Sequence, residues 1–291
     1  MTKARNRTKS VTAKVKPSRR SDAEHSMRQQ PIYARTDYRG ADKLAGKIAI
    51  ITGGDSGIGR AVAIAFANEA ADVVVLYHEN DTDADETRVL VEATGRRCLT
   101  IKGDIAAGTF CQNAVKKAYD VFRRIDILVN NAAEQHPVEK PEQITSKQLL
   151  RTFQTNVFGM FFLTNAALPH LRRQPGATII NTGSVVAYRG HDMLIDYTST
   201  KGAVIGYTRA MALSLAPDIR VNAVAPGPIW TPLIPSTFPD EKVGNFGADT
   251  PIGRAGQPFE CAGAYVFLAS ADATYITGQV IHPNGGEVVN A

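Results

Sequence analysis

Short apolar runs alternate with longer amphipathic stretches along most of this chain. The first run, Ile48-Ala49-Ile50-Ile51, is β-branched-rich and ends in a glycine turn, Thr52-Gly53-Gly54-Asp55-Ser56-Gly57-Ile58-Gly59. An Ala-rich stretch, Ala61–Ala67, follows at once. This reads as a buried strand, a tight turn and a helix. Further strand-like runs lie at Asp72–His78, Arg97–Lys102, Ile125–Val129, Ala177–Thr182, Ile219–Val224 and Gly278–His282. Helical patterns separate them at Asp81–Thr94, which Gly95 ends, and at Gly108–Arg124, Ser146–Arg173, Ala203–Leu215 and Pro258–Ala269. Strict alternation of this kind predicts an α/β fold with right-handed crossovers and a parallel sheet. Ligands of such sheets collect at the carboxyl ends of the strands, where most polar clusters of this sequence fall.

Residues 1 to about 40 break the pattern. They are poor in apolar residues and show no period, so they are expected to be disordered or loosely docked. The domain plan is a basic extension over 1–44 and one domain over 45–291, with a Pro-rich, aperiodic lid at about 228–253. Charge sharpens this division. The chain carries +5 in all and residues 1–20 carry +8 with no acid, which leaves the body at −3. A solvated basic tail is favoured over nucleic-acid contact or an organelle transit peptide, although its acid-poor composition overlaps with the latter. No apolar run approaches the ~18 residues of a membrane span. Cys98, Cys111 and Cys261 form no ligand spacing, so no metal site is expected, and free thiols suit a reducing, cytoplasmic setting.

The chemistry begins at the glycine turn. Glycine permits a positive φ and leaves the backbone bare for a pyrophosphate, and the helix behind it offers free N–H groups. The spacing G-x-x-x-G-x-G differs from the commonest dinucleotide fingerprint, so the turn alone also fits a ligand-free strand-to-helix connection. At the end of the second strand stand Tyr77 and His78, where a carboxylate would select for a ribose 2′-hydroxyl. His78 is a candidate cation for a 2′-phosphate and Arg60 lies close to the turn, whereas Glu79 and Asp81 argue the other way. The balance favours NADP(H), with NAD(H) as the alternative.

Tyr197 and Lys201 are four residues apart, hence on one face of a helix. A tyrosine titrates near 10, and a neighbouring ammonium would stabilise its phenolate, which suits proton exchange with an alcohol oxygen. Ser184, at a strand end, is placed to bond the same oxygen. Asn156 sits among phenylalanines, where a buried amide must be hydrogen-bonded. Each residue singly has an ordinary structural reading: a half-buried tyrosine, a solvated lysine, a helix-capping serine, a satisfied core amide.

Together they are more specific. The Thr52–Gly59 turn, Asp104, Asn130-Asn131-Ala132, Asn156, Ser184, Tyr197, Lys201 and Pro226-Gly227 resemble, in order and spacing, the short-chain dehydrogenases/reductases. The resemblance spans roughly residues 45 to 290. It is strongest to a bacterial branch with a long N-terminal extension, often labelled glucose/ribitol-dehydrogenase-like. Where the family usually has N-N-A-G, this chain has Ala133 in the last place, a change common in that branch.

The resemblance implies a single Rossmann-type doubly wound domain with seven parallel strands in the order 3-2-1-4-5-6-7 and helices on both faces. Tyr197 would be the general acid/base, and Lys201 would lower its pKa and bind the nicotinamide ribose. Ser184 would orient the substrate carbonyl, and Asn156 would hold a water of a proton relay. The cofactor would lie against Gly53, Asp55, Ser56, Gly57, Ile58 and Gly59, then Tyr77 and His78. Asp104 and Ile105 would take the adenine, and Asn130 and Ala132 would line the groove. Pro226, Gly227, Ile229 and Thr231 would wrap the nicotinamide. The expected activity is hydride transfer between NAD(P)(H) and an alcohol, aldehyde, ketone or sugar. Glu134, Gln135, His136, Tyr188, Met193 and the lid would face the substrate. A homotetramer built on the two long helices is implied as well. The competing reading is a catalytically idle cofactor-binding scaffold whose tail contacts polyanions; the complete Asn-Ser-Tyr-Lys set favours the enzyme.

Overall fold

The computed structural model describes residues 24–238 and 243–289. The basic tail over 1–20 and part of the expected lid, 239–242, lie outside the described residues. Seven strands form one parallel sheet in the order β3-β2-β1-β4-β5-β6-β7. They are β1 (Ile48–Thr52), β2 (Asp72–Tyr77), β3 (Cys98–Lys102), β4 (Ile127–Asn130), β5 (Thr178–Thr182), β6 (Arg220–Val224) and β7 (Val280–Ile281). The strand order is the one expected; β7 is shorter than its apolar run suggested.

The period of two along each strand divides the core. Ala49 and Ile51 of β1, with Val73 and Val75 of β2, pack on α1 (Gly57–Asn68) and a later helix, Pro258–Ala269. Ile48 and Ile50, with Val74 and Leu76, face the other side, onto α3 (Gly108–Phe122) and α5 (Gly159–Leu171). Between α1 and α3, α2 (Asp81–Glu92) covers β2 and β3. Both faces of the central strands are thus dry, which is why they read as continuous apolar runs.

Two segments depart from expectation. The helix over Ser146–Arg173 runs as α4 (Ser146–Phe153), a π turn (Gln154–Phe158) and α5. The π turn carries Asn156, and it is followed by Gly159, whose missing Cβ leaves room for Ile105. The helix that carries Tyr197 and Lys201 also begins earlier than its Ala-rich part: α7 spans Ile195–Leu215, with a short α6 (Val186–Arg189) before it.

The extension corrects the reading more strongly. Residues 24–44 are not loose: Glu24 is wholly buried and Leu44 belongs to the core. Glu69 receives Tyr38 Oη and the N–H groups of Ala41 (2.9 Å) and Lys43 (3.0 Å). Ile32 pairs with the start of the Pro258–Ala269 helix through Phe259 N (3.2 Å) and Gln257 Oε1 (3.0 Å). Hydrogen bonds to buried acids, which composition does not reveal, hold this polar segment. Among the described residues no helix is long and apolar enough to cross a membrane.

Candidate active site

The carboxyl ends of the strands open into one groove, and the glycine turn forms its floor. Gly53 and Gly57 adopt φ of +59° and +51°, as the turn requires. A Cβ on Gly53 would stand 3.1 Å from Ala132 Cα, and one on Gly57 3.1 Å from Thr231 Cγ2. The turn is therefore walled by the β4 loop on one side and the segment at Thr231 on the other. Asp55, Ser56 and Ile58 line the groove with these two glycines, and the N-terminus of α1, which the Ser56 side chain does not cap, lies beneath. Gly59 serves packing instead: a Cβ there would fall 1.9 Å from Gly53 O. Bare backbone at a helix N-terminus fits a dinucleotide pyrophosphate.

At the end of β2, Tyr77, His78 and Glu79 line the groove. Asp81 does not; it accepts from Tyr77 Oη and from Lys102 Nζ, each at 2.7 Å. His78 lies between Glu79 (3.6 Å) and Asp104 (3.9 Å). Arg60, expected near the turn as a phosphate partner, is fully buried and bonded to Asp55 O, Thr87 Oγ1, Asp83 O and Glu86. It has no route to a groove ligand.

Asp104 accepts from Ala106 N (2.9 Å) and from Arg151 Nη1 (2.6 Å). Burial alone would raise its carboxyl, but these two bonds outweigh it and hold the group below the usual carboxylate range. Ile105 lines the groove beside it. Arg151 also reaches Glu134 Oε2 (3.2 Å), so one guanidinium ties the ends of β3 and β4 together across the groove. No motif signalled Arg151; only its three-dimensional position marks it.

The paired asparagines after β4 divide their tasks. Asn130, expected in the groove, turns inward and donates to Thr164 Oγ1 (3.2 Å) and Asn181 Oδ1 (2.9 Å). Asn131 faces the groove and donates to Thr52 O (3.0 Å) and Gly53 O (3.2 Å). Successive side chains of extended backbone point to opposite sides, so only one of the two can do so. Ala132 lines the groove as expected.

Tyr197 and Lys201 meet on α7, as their spacing predicts, with Lys201 Nζ 5.4 Å from the centre of the Tyr197 ring. Both are nearly inaccessible, at 9% and 2% exposure. Burial pushes Tyr197 up to about 12, against a smaller opposing effect of its hydrogen bond with Ser184. Burial also pushes Lys201 down to about 7, and its ammonium donates to Thr182 O at 2.7 Å. Desolvation is thus the dominant effect on both groups. Asn156 lies beside Lys201 in the wall of a small internal cavity shared with Asn130 and Thr155. Its amide is fully engaged: Oδ1 accepts from Glu134 N (2.9 Å), and Nδ2 donates to Glu134 O (2.9 Å) and Thr200 Oγ1 (3.0 Å).

Of the Pro226–Thr231 stretch, Thr231 alone lines the groove. Pro226 O accepts from Val185 N, and Gly227 N donates to Pro283 O, with a Cβ on Gly227 only 2.7 Å from Asn284 Cα. The Ile229 side chain is in the core, and its backbone pairs with Gly256. These residues carry the wall rather than form its surface. Glu134 lines the groove, and Gln135 donates to Thr237 Oγ1 (3.0 Å) in α8 (Leu233–Thr237), a link from the β4 loop to that helix. His136 is 3.4 Å from Glu134 Oε1, which raises its pKa, and Met193 O accepts from Val138 N. Tyr188, expected at the substrate, instead stacks edge-on against His282 in a separate surface cleft beside β7.

A parallel sheet with this order, a glycine turn after β1 and a buried Tyr-Lys pair with Ser184 bonded to the tyrosine define a Rossmann-type protein with an oxidoreductase-like site. A family model described as enoyl-(acyl carrier protein) reductase matches residues 53–287. An uncharacterised oxidoreductase of Bacillus subtilis is 57% identical over 94% of each chain. A glucose and ribitol dehydrogenase of Daucus carota is 49% identical, covering 92% of this chain and 94% of that one. An Arabidopsis thaliana protein named NADPH-dependent aldehyde reductase 1, chloroplastic, is 48% identical over 97% of this chain and 100% of its own. Among solved structures, a 3-ketoacyl-(acyl-carrier-protein) reductase from Brucella melitensis complexed with NADH superposes with a TM-score of 0.77, at 33% identity over 84% of this chain and 98% of that one. The chain belongs to the short-chain dehydrogenase/reductase family of oxidoreductases.

Proposed function

We propose that this protein is a nicotinamide-dependent reductase of small aldehydes, ketones or sugars, with Tyr197 as the general acid. The buried Tyr197 hydroxyl in hydrogen-bond contact with Ser184 carries the reading. A phenol held up at about 12 is protonated at neutral pH, the state in which it can give its proton to a carbonyl oxygen as that oxygen gains charge. Ser184 holds the same oxygen in place. Lys201 sits one helical turn on, able to bind ribose hydroxyls on its groove side. The cofactor, when bound, supplies the hydride.

Proton resupply runs through the cavity beside Lys201. Asn130 Oδ1 and Thr155 Oγ1 are buried there without a protein partner, a lining that suits a bound water. Because both ends of the Asn156 amide are engaged, Asn156 shapes this site rather than supplying a free side-chain ligand to it. The described parts of the Pro-rich segment, 228–238 and 243–253, cover the substrate as a lid.

NADP(H) is the preferred cofactor and NAD(H) the second. Asp81 is drawn out of the groove by Tyr77 and Lys102, which leaves Glu79 as the one carboxylate of that strand end in the lining, beside His78. The NADPH-dependent relative points the same way. A cytoplasmic homotetramer completes the reading; exposed Leu149, Leu150, Phe158, Phe161 and Phe162 on the α4–α5 helix support a subunit contact there.

The deciding experiment is a fluorescence titration with NADPH and, separately, NADH, followed by a screen of aldehydes, ketones and sugars. NADPH binding at least tenfold tighter, about 1.4 kcal/mol, with turnover of a carbonyl, supports the proposal. Binding of neither cofactor overturns it.

A further inference from the structure

Glu24 comes from the extension, yet it reaches the functional centre of the molecule. Its backbone N–H donates to Asp83 Oδ2 (2.7 Å), and the next residue, His25, donates to Asp83 Oδ1 (3.0 Å). Those bonds alone would anchor the segment. The Glu24 side chain does something else: Oε2 accepts from Gly57 N at 2.8 Å, and Oε1 lies 2.9 Å from Arg60 Nη1. Both carboxylate and guanidinium are fully buried. Arg60 Nε in turn holds Asp55 O at 3.0 Å, and Thr87 Oγ1 holds the same carbonyl at 3.0 Å. Tyr33 of the extension closes over the guanidinium with its ring 4.8 Å away. A second contact runs from the extension to the lid base, where Trp230 Nε1 donates to Gln29 O (3.0 Å).

The glycine turn is therefore pinned from behind, at Asp55 by Arg60 and at Gly57 by Glu24. Its glycines would otherwise be the most mobile backbone in the groove, and ordering a residue costs roughly 1–2 kcal/mol. A ligand that meets the turn already ordered does not bear that cost. We propose that Glu24 is a positioning residue for the dinucleotide: its Oε2, by accepting from Gly57 N, fixes the glycine turn in the conformation that receives the pyrophosphate. The inference rests on the function proposed above. Arg60 balances the charge that a carboxylate would otherwise add beneath a phosphate seat. The extension is thus part of the cofactor site, although none of its described residues is in the groove lining.

The test uses the full-length chain with Glu24→Gln, Glu24→Asp and Glu24→Ala, each titrated with NADPH and assayed at saturating NADPH. Glutamine keeps the reach and the acceptor oxygen; aspartate keeps the charge but draws the acceptor back. The expected result is a Kd within threefold of wild type for Glu24→Gln, raised about tenfold for Glu24→Asp and Glu24→Ala, with kcat unchanged in all three. Tyr38→Phe, at the far end of the same segment, should lower Tm and leave Kd alone. A Kd that follows charge instead, with Asp retained and Gln lost, overturns the proposal, as does a Kd within twofold of wild type in both Glu24→Asp and Glu24→Ala. Should Glu24→Ala not fold, the contrast between Asp and Gln still decides. Binding of no dinucleotide by the wild type overturns the function as well; binding by the wild type with unaltered variants overturns only the role of Glu24.

Discussion

Asn156 grips Glu134 by both of its peptide groups, taking the N–H on Oδ1 and the carbonyl on Nδ2, each at 2.9 Å. The π turn puts Asn156 at this place, and the grip fixes the β4 loop, whose Glu134 side chain meets Arg151. Asn156→Asp keeps the shape but loses the donor to Glu134 O and Thr200 Oγ1. The expected cost is about 1–3 kcal/mol, read by urea denaturation at pH 7, together with a loss in kcat/KM larger than the unfolded fraction explains.

Tyr197→Phe removes the proposed proton donor without changing the volume of its site. Turnover should fall by about 10²–10⁴-fold, while NADPH binding stays within a few-fold of wild type. Retained turnover would take the general-acid role away from Tyr197.

Lys201 gives a pH signature. Burial lowers its folded-state value from 10.5 to about 7, so between those limits the unfolded chain binds more protons than the folded one. Stability contributed through this group therefore rises with pH over that window, and the penalty is fully present below pH 7. Lys201→Met should be inactive yet gain in Tm over wild type at pH 7, with the gain shrinking towards pH 10. Glu24 carries the opposite slope. Burial raises it from 4.5 to about 7, so the folded chain holds its proton longer, and stability through this group falls as pH rises across that window. The Tm of Glu24→Gln relative to wild type should increase from pH 5 to pH 8.

Gly59 is intolerant of any side chain, because its Cβ would sit 1.9 Å from Gly53 O and 2.8 Å from Asn131 Nδ2. Gly59→Ala must move backbone rather than a flexible side chain, at a cost of roughly 2 kcal/mol or more. Thermal unfolding should show that loss, and NADPH titration should show loss of binding. By contrast Gly95→Ala, where φ is +82° but no atom lies within 4 Å, should cost about 1 kcal/mol and leave binding intact.

Much of the architecture was legible in the sequence because the central strands are buried on both faces. Ile48–Ile51 and Ile125–Val129 must be apolar throughout, and a run of that length between helical patterns has few other readings. Tyr197 and Lys201 were legible because a helix fixes the geometry of residues four apart. The π turn was not: one additional residue in a turn leaves the apolar spacing of Ser146–Leu171 nearly unchanged. Nor was the choice between Asn130 and Asn131, since where the strand ends decides which of two adjacent side chains faces the groove. Arg60 was misread because a guanidinium near a phosphate-type turn looks the same in sequence whether it faces solvent or the buried carboxylates of Glu24 and Asp83.

The sequence by itself determined the alternation of strand and helix, the glycine turn and the Ser-Tyr-Lys set, because local period and local backbone chemistry specify each of them. Only the tertiary structure decided which polar residues meet: Glu24 with Gly57 and Arg60, Arg151 with Asp104 and Glu134, Asn156 with the Glu134 peptide groups. A buried polar group must find a partner, but the partner is chosen by how the helices pack on the sheet, and no local pattern in the chain encodes that distance.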